Sequence, residues 1–290
     1  MYKLISIDMD GTLLNSKGEL SEENILAVKS AIKKGVKVVF TTGRGIRAIT
    51  RFLDKVGLLE SDEYVITNNG VSLYKSKTLK CLRANAISGQ DLKTLCDVGI
   101  NLGAKLHIYD FESEGCVVLE ENEFTKFERD HIGMPTFVKP DYCDNFDDSK
   151  KAFKVLYLQN KDVIDYIEKN IPKYIFEKFN AVRSLDIALE LFYKECNKGN
   201  AVKELADMFG FKREEIIAIG DQRNDLEMIE FAGLGVAMGN AIEKIKEVAN
   251  YVTDTNDNNG VAKVINKFVL WKILSMDDKN LSILFYCNLV

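Results

Sequence analysis

A short apolar run that ends in two carboxylates is the feature that most constrains this chain. Residues 3–7 are apolar enough for a buried strand, and Asp8 and Asp10 follow directly, before a Gly11-Thr12 turn. Two like charges at the tip of a buried strand destabilise each other unless a cation or a basic side chain compensates them. The run therefore predicts a buried strand whose end carries a nucleophile and a proton donor.

Strand and helix patterns alternate towards both ends of the chain. Strands are predicted at 3–7, 36–40, 64–67, 215–219 and 234–237. Helices are predicted after the N-cap Ser21, at 46–56 and at 226–231. This alternation predicts an α/β fold with a doubly wound, mostly parallel sheet that is covered on both faces.

The middle of the chain has a different pattern. Strands are predicted near 106–109, 116–119, 155–158 and 186–192, and helices near 91–102 and 163–169. We therefore predict a core of residues 1–82 and 191–270, an inserted α+β cap of residues 83–190, and a tail of residues 271–290 without an assigned role. Four aromatic residues are predicted to belong to the interior of the cap: Phe176, Phe179, Phe192 and Tyr193.

Composition excludes several classes of function. The chain has 290 residues, a net charge of −5 and 46% hydrophobic residues, so it offers no basic surface for nucleic acid. No apolar segment reaches the roughly 20 residues that span a bilayer, and the first strand begins too early for a signal peptide. The six cysteines are scattered without a Cys-x-x-Cys pair. We expect a cytoplasmic protein with reduced thiols and neither disulfides nor a zinc site.

Polar side chains stand at the ends of several predicted strands, where ligands of a doubly wound sheet bind. Besides Asp8 and Asp10, they are Thr42 and Gly43, Lys198 from a later segment, and Asp221, Asn224 and Asp225. Four carboxylates in one crevice require a cation, and oxygen ligands without His or Cys indicate Mg²⁺ rather than zinc. Thr42, Lys198 and loop amides would then face an anion, most naturally a phosphoryl group.

These groups suit phosphoryl transfer through a carboxylate nucleophile. Asp8 would attack phosphorus and form an aspartyl-phosphate. Asp10 would protonate the leaving oxygen and then deprotonate the water that hydrolyses the intermediate. A small phosphorylated metabolite, rather than nucleic acid or a membrane, is the expected partner.

The same strings resemble the haloacid dehalogenase (HAD) superfamily. Its four motifs correspond, in order, to Asp8-Met9-Asp10-Gly11-Thr12, Thr42-Gly43-Arg44, Lys198-Gly199-Asn200-Ala201 and Gly220-Asp221-Gln222-Arg223-Asn224-Asp225. Two further strings resemble the Cof-type subgroup: Gly235-Val236-Ala237-Met238-Gly239-Asn240-Ala241 and Asn259-Gly260-Val261-Ala262. The insert between the second and third motifs resembles a type IIB cap. The resemblance runs to about residue 268 and implies a Cof-type phosphatase on a HAD-like core.

The resemblance also implies a role for each matching residue. Asp8 would be the nucleophile and a Mg²⁺ ligand, and Asp10 the acid/base whose backbone carbonyl also reaches the metal. Asp221 would ligate Mg²⁺, and Asp225 would act on the metal or its waters. The residues that would hold the phosphoryl group are Thr42, Gly43, Lys198 and Asn224. Sugar phosphates are the substrate class that the resemblance favours, with pyridoxal phosphate and nucleotides left open.

Other interpretations of the same residues remain. A phosphomutase shares the aspartyl-phosphate but returns the phosphoryl group to a sugar, and a non-catalytic metabolite-binding protein could keep the same fold. Asn224 and Asp225 could instead cap the following helix. Arg44 is assigned a structural role outside catalysis, and no function is assigned to His107 or His131, the only histidines. The sequence does not predict the oligomeric state.

Overall fold

The computed structural model describes residues 1–147 and 149–270, and the predicted tail of residues 271–290 lies outside them. Across the described residues the chain forms fifteen strands. In chain order they are β1 Leu4–Ile7, β2 Lys37–Thr41, β3 Tyr64–Thr67, β4 Ser72–Lys75, β5 Cys81–Ala84, β6 Ile87–Ser88, β7 Lys105–Asp110, β8 Gly115–Val118, β9 Thr136–Val138, β10 Lys151–Leu158, β11 Phe179–Leu185, β12 Ala188–Tyr193, β13 Ile216–Gly220, β14 Leu234–Ala237 and β15 Tyr251–Val252.

Ten α-helices connect and cover these strands in the described part of the chain. They are α1 Glu22–Lys33, α2 Ile46–Lys55, α3 Gly89–Asn101, α4 Glu123–Phe127, α5 Lys161–Asn170, α6 Ile175–Lys178, α7 Lys198–Phe209, α8 Leu226–Phe231, α9 Glu243–Val248 and α10 Gly260–Ile265. Ser21 caps α1 as predicted, because its side chain accepts a hydrogen bond from the Asn24 amide.

The first sheet confirms the predicted α/β architecture. Its strand order is β15-β14-β13-β1-β2-β3-β4-β5, and the six strands from β15 to β3 are parallel. The order reverses between β1 and β13, where ligands of such sheets bind. All four residues of β1 are buried, so this strand lies at the centre of the core. The fold therefore places Asp8, which follows β1, at the switch point.

A second, mainly antiparallel sheet consists of β11-β12-β10-β7-β8-β9, with β6 paired to β10. Successive side chains along its strands point to opposite faces of the sheet, and both faces are buried. One face packs against α3 and α5 in a separate apolar cluster. The other contributes Tyr109, Leu156 and Phe192 to the buried cluster of the first sheet. The second sheet therefore lies directly against the carboxyl ends of the first.

The structure differs from the sequence prediction at several elements. Strands β4 and β5 extend the first sheet with antiparallel pairing, and β11 was not predicted at all. Phe176 was predicted to be an interior residue of the cap, which is wrong, because 41% of it is exposed at the surface of the one-turn helix α6. Phe179 and Phe192 are buried as predicted. The five described cysteines are free thiols. Among the described residues, no helix combines the length and the apolar character that crossing a membrane requires.

Candidate active site

Asp8 lies at the end of β1 in contact with the basic residue that the sequence predicted. Lys198, the first residue of α7, donates from Nζ to Asp8 Oδ1 at 2.5 Å and to Asp225 Oδ1 at 2.6 Å. The Lys198 side chain is fully buried, and those of Asp8 and Asp225 are 7% and 0% exposed. A buried ammonium ion shared by two carboxylates is stable only because each charge is hydrogen-bonded to an opposite one. The structure thus brings the first, third and fourth motifs together.

The loop after β13 places a third carboxylate beside this pair. Asp221 is buried, and its Oδ1 accepts a hydrogen bond from the Thr12 hydroxyl at 2.9 Å. Asp225 Oδ2 accepts from the backbone amides of Asp221 and Gln222, so Asp225 also shapes this loop. A Cβ on Gly11 would lie 2.4 Å from Asp221 Oδ2. The Asp-Gly-Thr turn therefore needs glycine for the close approach of Asp221.

The electrostatics of the cluster favour a bound cation. Burial and the Asp225 carboxylate raise the pKa of Asp8, although Lys198 opposes them. Burial and Asp225 also raise the pKa of Asp221 to about 6. Burial lowers the pKa of Lys198, but Asp225 and Asp8 outweigh burial and leave this pKa raised. Three neighbouring acids carry more negative charge than the single ammonium ion of Lys198 neutralises, so further positive charge would stabilise their ionised forms.

Three of the four predicted metal ligands lie close enough to share one ion. Carboxylate oxygens of Asp8, Asp221 and Asp225 lie within 4.8 Å of one another. Hard oxygen donors of this kind suit Mg²⁺, which retains several waters beside few protein ligands. The Asp10 side chain is 56% exposed and lies outside this group. Its predicted contribution, through the backbone carbonyl, stays a prediction.

Asp10 forms an ion pair with a residue that the sequence analysis left out of catalysis. Arg44 donates from Nη2 to Asp10 Oδ1 at 2.6 Å and from Nε to Asp10 Oδ2 at 2.8 Å. Its Nη1 also donates to the backbone carbonyl of Ile132, which belongs to the predicted cap. A two-point contact of this kind fixes both the position and the plane of the carboxylate. Arg44 thus orients the predicted acid/base towards the space between the sheets.

The remaining predicted phosphate-binding residues surround the same end of the first sheet. The Thr42 side chain is buried and accepts a hydrogen bond from the Arg44 amide at 3.1 Å. Gly43 has no side chain, and a Cβ at this position would lie 3.0 Å from Asn69 Oδ1. Asn224 Nδ2 donates to that same Asn69 oxygen at 3.0 Å. The second and fourth motifs therefore meet at Asn69.

A cavity of about 490 Å³ lies between the two sheets, and Asp8 and Asp10 contribute to its lining. This volume lies in the range of small-molecule sites. The predicted site residues that line the cavity are Asp8, Asp10, Gly43 and Asn224, whereas Thr42, Lys198, Asp221 and Asp225 do not line it. The opposite wall is mostly apolar and comes from the second sheet and its neighbouring segment. Its apolar members are Phe127, Ile132, Leu156, Leu158, Val182, Leu185 and Ala188.

Two buried polar pairs, from the second sheet and from the segment that follows α4, also line the cavity. Lys154 of β10 donates to Glu190 Oε2 of β12 at 2.8 Å and to the Gly43 carbonyl at 3.0 Å. The Tyr109 hydroxyl donates to Glu128 Oε2 at 2.8 Å, and burial raises the pKa of Glu128. These ionisable groups are buried where the second sheet meets the motifs of the first. Buried ionisable groups of this kind are common at functional sites.

Asn69, Lys154 and Glu190 were not singled out from the sequence, and Arg44 was assigned only a structural role. Arg44 directly follows Thr42-Gly43, and Asn69 follows β3, so both were detectable as polar residues at strand ends. Lys154 and Glu190 each interrupt an otherwise apolar strand, which is a weaker signal. Only the packing of the two sheets shows that both face the cavity.

Comparisons with known proteins agree with this geometry. Residues 5–265 match the family model of haloacid dehalogenase-like hydrolases. A Bacillus subtilis protein named "Putative phosphatase YxeH" is 38% identical, over 94% of this chain and 100% of its own. The 5-amino-6-(5-phospho-D-ribitylamino)uracil phosphatase YcsE of B. subtilis is 31% identical, over 92% and 96%.

A solved haloacid dehalogenase-like hydrolase from Bacteroides thetaiotaomicron superposes with a TM-score of 0.84 at 29% identity. The match covers 92% of this chain and 99% of that one. The family that the four motifs resemble is thus also indicated by the family model, by relatives named as phosphatases and by a solved structure of the same fold. Because these agree over nearly the whole chain, the protein belongs to the haloacid dehalogenase-like hydrolases and is a phosphoric monoester hydrolase.

Proposed function

We propose that the protein is a Mg²⁺-dependent phosphatase that hydrolyses small phosphorylated metabolites through an aspartyl-phosphate on Asp8. The contact between Lys198 and Asp8 carries this proposal. The buried Asp8 carboxylate lines the cavity, and the Lys198 ammonium ion fixes its orientation. This buried, paired environment supports a nucleophilic role for Asp8 and is unlike that of a surface acid.

Asp8, Asp221 and Asp225 would hold the Mg²⁺ ion. Their oxygens are the donor type that Mg²⁺ prefers, and their mutual repulsion is relieved by a divalent cation. When bound, Mg²⁺ would neutralise charge on the phosphoryl oxygens. Lys198 supplies the positive charge that stays in the site with or without the ion.

In the first half of the reaction, an Asp8 carboxylate oxygen attacks phosphorus and the bond from phosphorus to the leaving oxygen breaks. Asp10 donates a proton to that oxygen, so the product leaves as an alcohol. Thr42, the Gly43 amide and Asn224 hold the phosphoryl oxygens at the ends of their strands. Arg44 holds both oxygens of the Asp10 carboxylate at the cavity, so Asp10 takes up a proton and releases one of these hydrogen bonds before it donates to the leaving oxygen.

In the second half, Asp10 accepts a proton from a water molecule that attacks phosphorus. The acyl phosphate bond to Asp8 breaks, and inorganic phosphate forms while the Asp8 carboxylate is regenerated. The second sheet covers the site during this step and limits the access of other waters.

The cavity supports a metabolite with a polar and an apolar part. Lys154, Glu190 and Asn69 offer hydrogen bonds near the phosphoryl site, and the second-sheet wall offers apolar contact. We therefore propose sugar or sugar-alcohol phosphates as substrates, including those that carry a further ring. The name of the relative YcsE, with a phospho-ribityl group on a uracil ring, supports this class.

The test is phosphate release from a panel of esters, with Mg²⁺ or with a chelator. The panel contains a pentose phosphate, a hexose phosphate, pyridoxal phosphate, flavin mononucleotide and a nucleoside monophosphate. Wild type is compared with Asp8→Asn and with Asp62→Asn, whose side chain is 78% exposed. We expect Asp8→Asn to lose at least about a thousandfold in activity, because the nucleophile is gone.

Three results would contradict the proposal. Full activity of Asp8→Asn would exclude the aspartyl-phosphate, and activity that survives the chelator would exclude the need for a metal. Release of an isomerised ester with little free phosphate would indicate a phosphomutase instead. The Asp62→Asn variant should retain wild-type activity and a folded circular dichroism spectrum.

A further inference from the structure

Asn69 joins the second sheet, the second motif and the fourth motif, through its side chain and its backbone amide. Its Nδ2 donates to Glu190 Oε2 at 3.3 Å, and its Oδ1 accepts from Asn224 Nδ2 at 3.0 Å. Its backbone amide donates to the Thr42 carbonyl at 3.0 Å. Asn69 is 5% exposed and has a φ of +57°, in the left-handed region that asparagine tolerates.

The chemistry of Glu190 fixes the direction of these hydrogen bonds. An ionised carboxylate can only accept, so the amide nitrogen of Asn69 must face it. The Asn69 oxygen is then left for Asn224, whose amide must present its nitrogen. The orientation of Asn224 thus depends on a residue of the second sheet that does not touch it.

Glu190 is itself held by a buried cation. Lys154 and Glu190 have side chains that are 3% and 10% exposed, and Lys154 also donates to the Gly43 carbonyl. Burying such a pair costs desolvation that an apolar pair of similar size would avoid. The pair makes its contacts with Gly43 and Asn69 only when the second sheet lies against the first. These contacts therefore depend on the position of the second sheet relative to the first.

We infer that Asn69 is a positioning residue that couples the position of the second sheet to the orientation of Asn224 at the phosphoryl site. It does so through its hydrogen bonds with Glu190 and with Asn224. The inference rests on the proposed function, in which Asn224 holds a phosphoryl oxygen. When Glu190 leaves Asn69, the amide of Asn69 can rotate and Asn224 loses its fixed partner. The phosphoryl site is complete only when the second sheet is in place.

The test uses a pair of substitutions with opposite effects on one contact. Asn69→Asp keeps an oxygen for Asn224 but sets two carboxylates against each other at Glu190. Adding Glu190→Gln to that variant removes one charge and supplies an amide that can donate to the new carboxylate. We expect kcat to fall about tenfold in Asn69→Asp, as for a lost buried hydrogen bond, and to recover to within about threefold in the double variant.

Asn24→Asp is the matched control. Asn24 is also a buried asparagine, but its side chain contacts Leu13 and Ala262 of the core instead of the second sheet. We expect it to lower the melting temperature as much as Asn69→Asp does. Its kcat should stay near the wild-type value, and adding Glu190→Gln to Asn24→Asp should not raise the melting temperature of that variant.

Inhibition by inorganic phosphate gives a second readout, because the product binds where Asn224 acts. Its Ki should rise in Asn69→Asp and recover with kcat in the double variant. Equal kcat values in Asn69→Asp and wild type would overturn the inference, and so would a double variant no better than the single one. An inactive wild type would refute the proposed function, and phosphate binding by calorimetry in the same variants would then decide the coupling.

Discussion

Gly70 determines how closely the loop after β3 approaches the residue that precedes Lys198. Its φ is +91°, and a Cβ there would lie 2.2 Å from the Asn197 carbonyl oxygen. Asn197 caps α7, whose first residue is Lys198. A side chain at Gly70 would therefore push against the backbone that carries the central ammonium ion.

We expect Gly70→Ala to lower the free energy of unfolding by about 2–4 kcal/mol, from left-handed strain plus steric overlap. Activity should fall with it, because Lys198 moves away from Asp8. Gly57→Ala is the control, since Gly57 has a φ of +77° with nothing within 4 Å of the added Cβ. It should cost only about 1 kcal/mol. Urea unfolding measures the free energy of unfolding of both variants. Equal losses in the two variants would show that the close contact between Gly70 and the Asn197 carbonyl does not matter for stability.

The residue scale also shows what the sequence could predict of the site. Asp8, Lys198, Asp221 and Asp225 meet as the motif order implied, because the carboxyl ends of neighbouring parallel strands share one edge. Arg44 was assigned a structural role, and its ion pair with Asp10 agrees with that role, but the sequence did not identify Asp10 as its partner. A sequence gives the order of strand ends but not the direction in which each side chain points.

At the scale of elements, the prediction was strongest where the pattern was regular. The bounds of β3, α8 and β14 are those predicted, since each is a short apolar or amphipathic run with clear ends. Strand β5 was missed because it is short and only partly buried, so its pattern carries little apolar periodicity. The pairing of β10 with β12, which sets Leu156 opposite Glu190, depends on tertiary packing that no local pattern reveals.

Strand β7 carries a buried histidine, and this gives a prediction for the second sheet. His107 is fully buried, and neither ring nitrogen has a hydrogen-bond partner among the described residues. Burial lowers the pKa of His107 to about 4, although the neighbouring Asn122 opposes part of the shift. The neutral imidazole is thus favoured in the folded protein, whereas the unfolded chain gains a proton near pH 6.5.

Stability should therefore fall as the pH decreases from about 6.5 to about 4, because only the unfolded chain takes up this proton. The full loss from this residue is on the order of 3 kcal/mol. His107→Leu removes the titration and should flatten that part of the stability curve, relative to wild type. Urea unfolding across this pH range measures the difference. Parallel curves for the two proteins would show that His107 does not titrate as expected.

For the whole molecule, the two sheets make one site from separate parts of the chain. The strand ends of the first sheet supply the carboxylates, the start of α7 supplies Lys198, and the second sheet supplies the Lys154–Glu190 pair and much of the cavity wall. A buried apolar cluster runs continuously between them. Ligands that bind at this junction should therefore stabilise the molecule as a unit, since they bind the folded chain and not the unfolded one.

Mg²⁺ provides the test of this linkage. At a hundredfold excess over its Kd it should add about 2.7 kcal/mol to the free energy of unfolding. Asp221 has a pKa of about 6 without the ion, so binding must displace a proton below that pH. The stabilisation by Mg²⁺ should therefore be larger at about pH 7.5 than at about pH 5, because protons compete for the same carboxylates.

Scanning calorimetry with Mg²⁺ or with a chelator measures this shift at both pH values. Asp221→Asn should abolish most of the stabilisation by Mg²⁺, because it removes a ligand charge. In the absence of Mg²⁺ it should leave the protein at least as stable as wild type near neutral pH, since it relieves repulsion with Asp225. A variant that Mg²⁺ still stabilises fully would place the ion elsewhere. A variant less stable without Mg²⁺ would mean that the hydrogen bond from Thr12 outweighs the repulsion.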